Sequence, residues 1–536
     1  MSDLSTITNN QDTVDLFNTK NKNGCGVALV VEHAQSFTQY PPTDYSPSIK
    51  MRFPQLKNAL LNGNSGHMPD FPPSIGIIHF VCAGGHGMSA IALMLKALGY
   101  DVQGSDAKES INTERLRAAG IRVFIGHDKA HVKSAKLVVA SSAALTIKYR
   151  VTENIEVEAA RGKGIPVIHR AEMLAALMKN KKAIAVGGSH GKSTTTSMLA
   201  GILEAGGLTP SVLTGATMNL YKSNMHLGSG EWMVVEADES DGSFLWLPTL
   251  VTVVTNIDSD HVAFWKSEEN TRAAFSQFVR NVPFYGLGVL CIDDPGVRQI
   301  LPSLHDRNIV TYGTTKDADV RGENIDFSTR GCTFTVSVRD HKGGPRQNIG
   351  SFELNAFGLA NVQNALAAIA VSIELGIDYQ ATADSLGTYP GVYQRFDRVG
   401  TVNGITIIDD HAAHPAEIKA CNSMAKQAGA RRIIAVNQPS GLPVVVKPWL
   451  AEYNTTFQDA EFVIIGQAEG DGEALAAQAR EMIVESLKSH GVENVISMHD
   501  AQQLPELVAR IGQDGDYVVC TGYRGSTEWA RRLAKC

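Results

Sequence analysis

Ala183-Ile-Ala-Val-Gly-Gly-Ser-His-Gly-Lys-Ser-Thr-Thr-Thr196 is an apolar run that passes into a glycine-rich turn and then into a helix-forming segment. The order predicts a nucleotide-triphosphate loop. Gly188 and Gly191 let successive backbone N–H groups curl toward phosphate oxygens, and the helix N-terminus adds its partial positive charge. Lys192 is placed to reach the β- and γ-phosphates, and Ser193 or Thr194 to offer a hydroxyl to Mg²⁺. Val186 stands where the full Walker pattern has one more glycine, so this is the shorter Gly-x-x-Gly-Lys-Ser form. Gly188, Ser189, His190, Gly191, Lys192, Ser193 and Thr194 together form the predicted ATP cradle.

The surrounding chain has 536 residues, too many for one ordinary core, and its length suggests about three or four domains. Hydrophobic residues make up 43% and charged residues 19%, the balance of a soluble globular enzyme. A formal net charge of -7 argues against a nucleic-acid or anionic-membrane surface. No apolar run approaches the roughly 20 residues that span a bilayer, and Met1 to Lys22 is polar rather than signal-like, so the cytoplasm is the expected location. The seven cysteines are scattered and lack a C-x-x-C pair, which indicates neither a disulfide framework nor a zinc site.

Taken in order, residues 1–74 read as a weakly ordered extension rich in Asn, Ser, Thr and Pro, with one strand-like run, Gly26-Val-Ala-Leu-Val-Val-Glu32. Residues 75–180 read as a Rossmann-like domain. Ile75-Gly-Ile-Ile-His-Phe-Val-Cys82 is a buried-strand pattern, the turn Ala83-Gly-Gly-His-Gly-Met-Ser-Ala90 leads into a helix, and a second strand ends at Asp106. Residues 181–388 form the predicted ATP domain. Trp232-Met-Val-Val-Glu-Ala-Asp-Glu239 and Leu250-Val-Thr-Val-Val-Thr-Asn-Ile-Asp-Ser-Asp-His261 are apolar runs that end in acids and a histidine, where metal ligands or solvated strand ends are both at home. Asn361 and Asn364 share a face near the start of a helix and suit either capping or adenine binding. Residues 389–536 read as a second Rossmann-like unit, in which a strand carries Asp409, Asp410, His411 and His414 into a loop before a helix. The fold class is therefore α/β in three domains, with a mostly parallel central sheet of P-loop type between two Rossmann-like units.

From His79-Phe-Val-Cys-Ala-Gly-Gly-His-Gly-Met-Ser89 onward the chain resembles the Mur ligase family, in its branch that acts on UDP-sugar acids. The resemblance also rests on Gly104-Ser-Asp106, Ser141-Ser-Ala143, Arg170-Ala-Glu-Met-Leu174, the phosphate loop, Glu236-Ala-Asp-Glu-Ser-Asp241, Thr255-Asn-Ile-Asp-Ser-Asp-His261 and Asn281-Val-Pro-Phe-Tyr-Gly286. It implies ATP-dependent amide ligation: a carboxylate takes the γ-phosphoryl group, and an amine attacks the acyl phosphate. The implied partners are UDP-N-acetylmuramate or a related UDP-sugar acid and an amino acid or other amine, handled by a monomer or homodimer. By the same resemblance Gly85, Gly87, Met88 and Ser89, with Asp106 and His127, hold the UDP-sugar. Glu236 and His261, besides Ser193 or Thr194, are implied ligands of Mg²⁺. Asn361 and Asn364 match adenine contacts, and Arg395 and Asp410 match residues that close onto the nucleotide. His414, at the head of the third-domain helix, is counted with Lys192, Glu236 and His261 among the catalytic candidates.

Departures from the family pattern cluster in the third domain. Asp409-Asp-His-Ala-Ala-His-Pro415 replaces Asp-Asp-Tyr-[Ala/Gly]-His-His-Pro, and Ser440-Gly-Leu-Pro-Val444 replaces His-Arg-Tyr-Thr-Arg, whose arginines suit the carboxylate of an incoming amino acid. Thr521-Gly-Tyr-Arg-Gly-Ser526 replaces Gly-Ala-Gly-Asp, and Gln394 takes the place of an arginine. The nearest cation in sequence, Lys447, is a point charge rather than a bidentate fork. In the ATP domain, Ala360 stands where the family usually has His. Three readings stay open: a ligase of this branch with an altered amine acceptor, a paralogue with both substrates changed, and a nucleotide-binding protein without turnover. Intact Lys192, Glu236 and His261 speak against the last.

Overall fold

The computed structural model describes residues 75–145, 154–258, 261–339, 345–439, 441, 443–468, 473–522 and 524–536. The 1–74 extension, with its strand-like run, lies outside them. Three sheets organise three α/β domains. By contact, the described residues gather into two compact units, one running to Ala176 and one from Leu177 to Cys536.

The first unit holds a five-stranded sheet. Its strands are β1 (Ile77–Val81), β2 (Val102–Asp106), β3 (Arg122–Ile125), β4 (Ala135–Ala140) and β5 (Val167–His169), in the order β3-β2-β1-β4-β5 and all parallel. The central strand is sealed, with Ile78, Phe80 and Val81 fully buried, because crossover helices cover both faces of a parallel sheet. Helix α1 (His86–Ala97) follows β1, as the glycine turn requires.

The second unit carries the other two sheets. The larger comprises β6 (Lys182–Gly187), β7 (Ser211–Met218), β8 (Ser223–His226), β9 (Trp232–Glu236), β10 (Val251–Val254), β11 (Leu287–Cys291), β12 (Ile309–Gly313), β13 (Val320–Ser328), β14 (Gly331–Arg339) and β15 (Arg346–Leu354). Their order is β15-β14-β13-β12-β11-β10-β6-β9-β7-β8, parallel except for β7 with β8 and the β13-β14-β15 meander. The phosphate-loop strand β6 thus lies between β9 and β10, at a reversal of strand order, where the carboxyl ends of a parallel sheet open a crevice. Helices α2 (Lys192–Ala205) and α3 (Leu359–Leu375) pack against one another and bury Leu199, Ile202, Leu203, Leu366 and Ile369 in one core with β6 and β9.

The third sheet comprises β16 (Asp397–Val402), β17 (Ile405–Asp410), β18 (Ile433–Asn437), β19 (Phe462–Ile465), β20 (Val495–Ser497) and β21 (Tyr517–Thr521), in the order β16-β17-β21-β18-β19-β20. Only β16 runs antiparallel. Its helices include α4 (Pro415–Gln427) and α5 (Arg524–Leu533). The edge strand β16 escaped the reading of the sequence, since Asp397-Arg-Val-Gly-Thr-Val402 is too polar and glycine-interrupted to alternate cleanly.

That edge sets two carboxylates directly opposite each other, Asp397 on β16 and Asp409 on β17. Like charges facing across a ladder repel. Asp409 is fully buried, accepts one hydrogen bond from the Thr527 hydroxyl at 3.1 Å, and has no hydrogen-bond partner for Oδ2 among the described residues. Burial, with Asp397 and Asp410 nearby, pushes its carboxyl up to about 7 against the pull of the Thr527 hydrogen bond and of Arg531. The folded protein therefore keeps a proton on Asp409 that an unfolded chain releases near pH 4. Across that window the unfolded state binds fewer protons, so stability falls as pH rises from about 4 to about 7 and is level beyond it. Asp409→Asn keeps the acceptor for Thr527 and removes the titration. Denaturant melts of the variant should show a shallower fall, the rest coming from buried Asp410, and gain on the order of 2 kcal/mol over the wild type at pH 8. A wild-type profile flat between pH 4 and 7 would contradict the assignment.

Candidate active site

The loop between β6 and α2 has the cradle geometry its glycines predict. Gly188 lies at φ 134° and Gly191 at φ 81°, both outside the range of ordinary side chains. Space enforces the same choice: a Cβ on Gly188 would lie 2.0 Å from the Thr255 hydroxyl, and one on Gly191 would lie 2.4 Å from Asn364 Oδ1. Residues just beyond β10 hold the loop from outside. The His190 N–H donates to Asn256 Oδ1 at 2.8 Å, while Thr255 Oγ1 and Asn256 Nδ2 donate to the His190 carbonyl at 2.6 and 3.1 Å. Ser189 Oγ accepts the Asp258 N–H at 2.9 Å.

Two carboxylates meet the loop, and they divide the work. Glu236, at the end of β9, accepts hydrogen bonds through Oε2 from Ser193 Oγ at 2.9 Å, Thr214 Oγ1 at 2.5 Å and the Gly215 N–H at 2.7 Å. Glu239, three residues on and 2% exposed, meets Lys192 Nζ at 2.9 and 3.0 Å through its two oxygens. Lys192 also donates to the carbonyls of Gly188 and Ser189, at 2.6 and 3.0 Å. His261 Nε2 lies 3.6 Å from Glu239 Oε1, on a residue whose φ of 58° is strained for a side chain of its size. The structure therefore pairs Ser193 with Glu236, and both Lys192 and His261 with Glu239. Glu239 was quoted in the acidic run but not singled out, because a strand end followed by acids does not reveal which side chain turns toward the loop. Thr194 follows in the first turn of α2, partly exposed.

Residues from the third sheet reach the same mouth. His190 Nδ1 lies 3.1 Å from Glu417 Oε1 on α4, and its Nε2 lies 3.5 Å from Asp258 Oδ2. Burial disfavours the Glu417 charge, but His190, the Ala413 N–H and Arg395 outweigh it and hold the carboxyl at about 2. Asp410 is buried and pushed up to about 6, even though Arg395 and the N–H groups of Phe396 and Ala412 favour its charge. His414 caps α4: its Nδ1 accepts the Ala416 N–H at 3.3 Å, Glu417 accepts the His414 N–H at 3.2 Å, and its ring meets Trp449 edge-on at 4.3 Å. Asn364 accepts from Thr195 Oγ1 and donates to Asn361 Oδ1, both at 3.1 Å, which ties α3 to α2; Asn361 donates to the Phe357 carbonyl at 2.8 Å.

Two of the third-domain departures from the family pattern, Gln394 and Ser526, each make a hydrogen bond within that domain. Gln394 donates through its amide to Thr527, whose hydroxyl donates to Asp409. Gln438 Oε1 accepts the Ser526 N–H at 3.0 Å near the start of α5. A neutral amide, that of Gln394, thus stands where an arginine was expected. Lys447 is exposed on a short 3-10 turn. Ser440, Leu442 and Tyr523 lie outside the described residues.

In the first unit the candidates form one neighbourhood at the carboxyl ends of β1 and β2. Gly85 caps α1 and Gly87 follows in its first turn, whereas the side chains of Met88 and Ser89 are buried, with Ser89 Oγ donating to the His86 carbonyl at 2.9 Å. Asp106 accepts the Gly84 N–H at 2.8 Å, closing the turn. His127 Nδ1 lies 3.1 Å from Glu156 Oε2 and 3.2 Å from Ser105 Oγ. Hydrogen bonds to Cys82 and Glu156 push His127 up to about 10 against burial. Glu156, fully buried and also contacted by His79 and His131, is the residue the sequence did not flag.

Comparison with known proteins accounts for all three domains. Residues 77–182 match the catalytic domain of the Mur ligase family, 186–372 the Mur ligase middle domain, and 394–524 the Mur ligase glutamate ligase domain. The UDP-N-acetylmuramate--L-alanine ligase of Gluconacetobacter diazotrophicus is 48% identical over 87% of this chain and 96% of its own length. The enzyme of the same name from Gluconobacter oxydans is 46% identical over 87% of this chain and 96% of its own. Among solved structures, UDP-N-acetylmuramate-alanine ligase from Thermotoga maritima superposes with a TM-score of 0.71 at 28% identity, over 86% of this chain and 98% of that one. A murein peptide ligase from Psychrobacter arcticus, at 24% identity and a TM-score of 0.64, shares the fold. Close to half identity along nearly the whole of such relatives leaves one conclusion: this chain belongs to the Mur ligase family.

Proposed function

We propose that the protein is an ATP-dependent ligase that joins an amine to the carboxylate of UDP-N-acetylmuramate, or of a related UDP-sugar acid, in the synthesis of peptidoglycan precursors. The observation that carries this reading is the phosphate loop with Lys192 and its paired carboxylates, in a chain 48% identical to a relative named for that reaction. Free carboxylate oxygen is a poor leaving group. Attack of the acid on the γ-phosphorus breaks the bond to ADP and gives an acyl phosphate; the amine then attacks the carbonyl carbon, and phosphate leaves with the bonding pair while the nitrogen loses a proton.

The residues supply what those anions need. Inward N–H groups of the loop and Lys192 neutralise the transferring phosphoryl group in a partly dry cleft. Ser193 and Glu236 offer hard oxygen donors 2.9 Å apart, a set that suits Mg²⁺, with His261 as a further ligand. Mg²⁺ would supply charge neutralisation at the phosphate oxygens. Asn361 and Asn364 are assigned to adenine, and Arg395 and Asp410 to closure from the third domain. His414 accepts at Nδ1, which places its ring proton on Nε2 and leaves that nitrogen a donor. In the first domain Gly85, Gly87, Asp106 and His127 take the UDP-sugar, with His127 as a cationic donor; the buried Met88 and Ser89 shape the turn.

The acceptor half is assigned an amine other than L-alanine. Its support is the sequence Ser440-Gly-Leu-Pro-Val444 in place of a stretch with two arginines that would clasp an amino-acid carboxylate, together with Gln394 in place of a third, its amide donating to Thr527.

Lys192→Ala should cut phosphate release that depends on both acid and amine by roughly 100-fold or more, with a thermal midpoint near that of the wild type. Turnover at the wild-type rate would sink the ligase reading. A screen of amino acids and other amines with UDP-N-acetylmuramate, ATP and Mg²⁺, read by product mass, should favour a product other than the L-alanine adduct. Clear preference for L-alanine would overturn the altered acceptor and leave the ligase intact.

A further inference from the structure

Lys192 has three N–H donors, and all three are engaged within the protein. Two go to the carbonyls of Gly188 and Ser189, part of the loop itself. The third goes to Glu239, whose two oxygens lie 2.9 and 3.0 Å from Nζ. Glu239 is the one anionic partner of the three and comes from a different element. A phosphate oxygen that approaches Lys192 must take the place this carboxylate holds, because the two loop carbonyls travel with the lysine. Two anions converging on one ammonium in a partly dry cleft repel strongly.

We propose that Glu239 is the resident counter-anion of the phosphate loop, a positioning residue that competes with the triphosphate for Lys192. The role rests on the ligase reading above, since it needs a nucleotide to compete with. The surroundings allow the exchange to be made by the side chain alone. Trp265 Nε1 and the Gly242 N–H donate to the Glu239 carbonyl at 3.1 and 3.3 Å and fix its backbone. His261 Nε2, 3.6 Å from Oε1, stands ready as the next donor once Lys192 turns to phosphate. Glu236 is excluded from this part, because its Oε2 is already held by Ser193, Thr214 and Gly215. The two carboxylates of the acidic run therefore serve different partners: Glu239 compensates the lysine, and Glu236 stays with the serine hydroxyl.

Competition of this kind is read most directly without metal, where no added cation masks the carboxylate. The full-length protein in EDTA is titrated with ADP and with ATP by calorimetry. Glu239→Gln should bind both about fivefold or more tightly than the wild type, since a charged hydrogen-bonded competitor has been replaced by a neutral one. Glu239→Ala should shift affinity in the same direction. In a Lys192→Ala background, Glu239→Gln should give no such gain, a coupling that a merely structural role for Glu239 would not produce. Unchanged or weaker affinity in both Glu239 variants, with thermal midpoints like the wild type, overturns the proposal; so does an equal gain in the Lys192→Ala background. Wild-type protein that binds no nucleotide even with Mg²⁺ would bring down the ligase reading and this role with it, whereas wild-type binding without a gain in the variants brings down this role alone.

Discussion

An ammonium group at the mouth of a buried strand needs compensation in every state of the protein, and much of the central domain follows from that need. Lys192 stands at the N-terminus of α2, where the helix dipole already favours anions, so its own charge adds to a positive focus. Gly188 and Ser189 turn their carbonyls inward to it, and Glu239 closes the set. That arrangement fixes which residues must be glycine, because carbonyls can point at the lysine only when the loop adopts conformations barred to other residues. It also fixes the sheet order. With β9 beside β6, the acids beyond β9 fall next to the loop, and with β10 on the other side Thr255 and Asn256 clamp its outer face.

The third domain answers a different constraint. Its candidate residues are embedded carboxylates: Asp409 and Asp410 are buried at the end of β17, and Glu417 sits at the head of α4. Glu417 stays charged because His190 and backbone N–H groups face it, whereas Asp409 holds a proton because it is buried, with another aspartate opposite it across the ladder. The contact of His190 with Glu417 joins the phosphate loop to α4 directly.

Much of this could be read from the chain. A strand, a glycine turn and Lys192 gave the expectation of phosphate binding, the acids after Val235 stood out as a second contact point to the loop, and the changes around Gln394, Ser440 and Thr521 set the third domain apart from the family pattern. Glu239 and Glu156 were not distinguished, because each is one acid among several in its stretch and its role depends on which way a backbone turns. His414 looked catalytic from its place in the motif, and the structure shows it also capping a helix, a local hydrogen bond that its proximity to Pro415 and Glu417 makes readable afterwards.

What the sequence by itself determined is therefore the class of chemistry and the order of domains, since glycine spacing, apolar runs and loop lysines act over a few residues and their physics is local. What only the tertiary structure decided is the pairing of charges. Lys192 and Glu239 are 47 residues apart, His190 and Glu417 lie in different domains, and Asp397 faces Asp409 only because β16 turns back along β17. Coulomb and desolvation energies depend on separation and burial, and the sheet order, not the sequence distance, sets both.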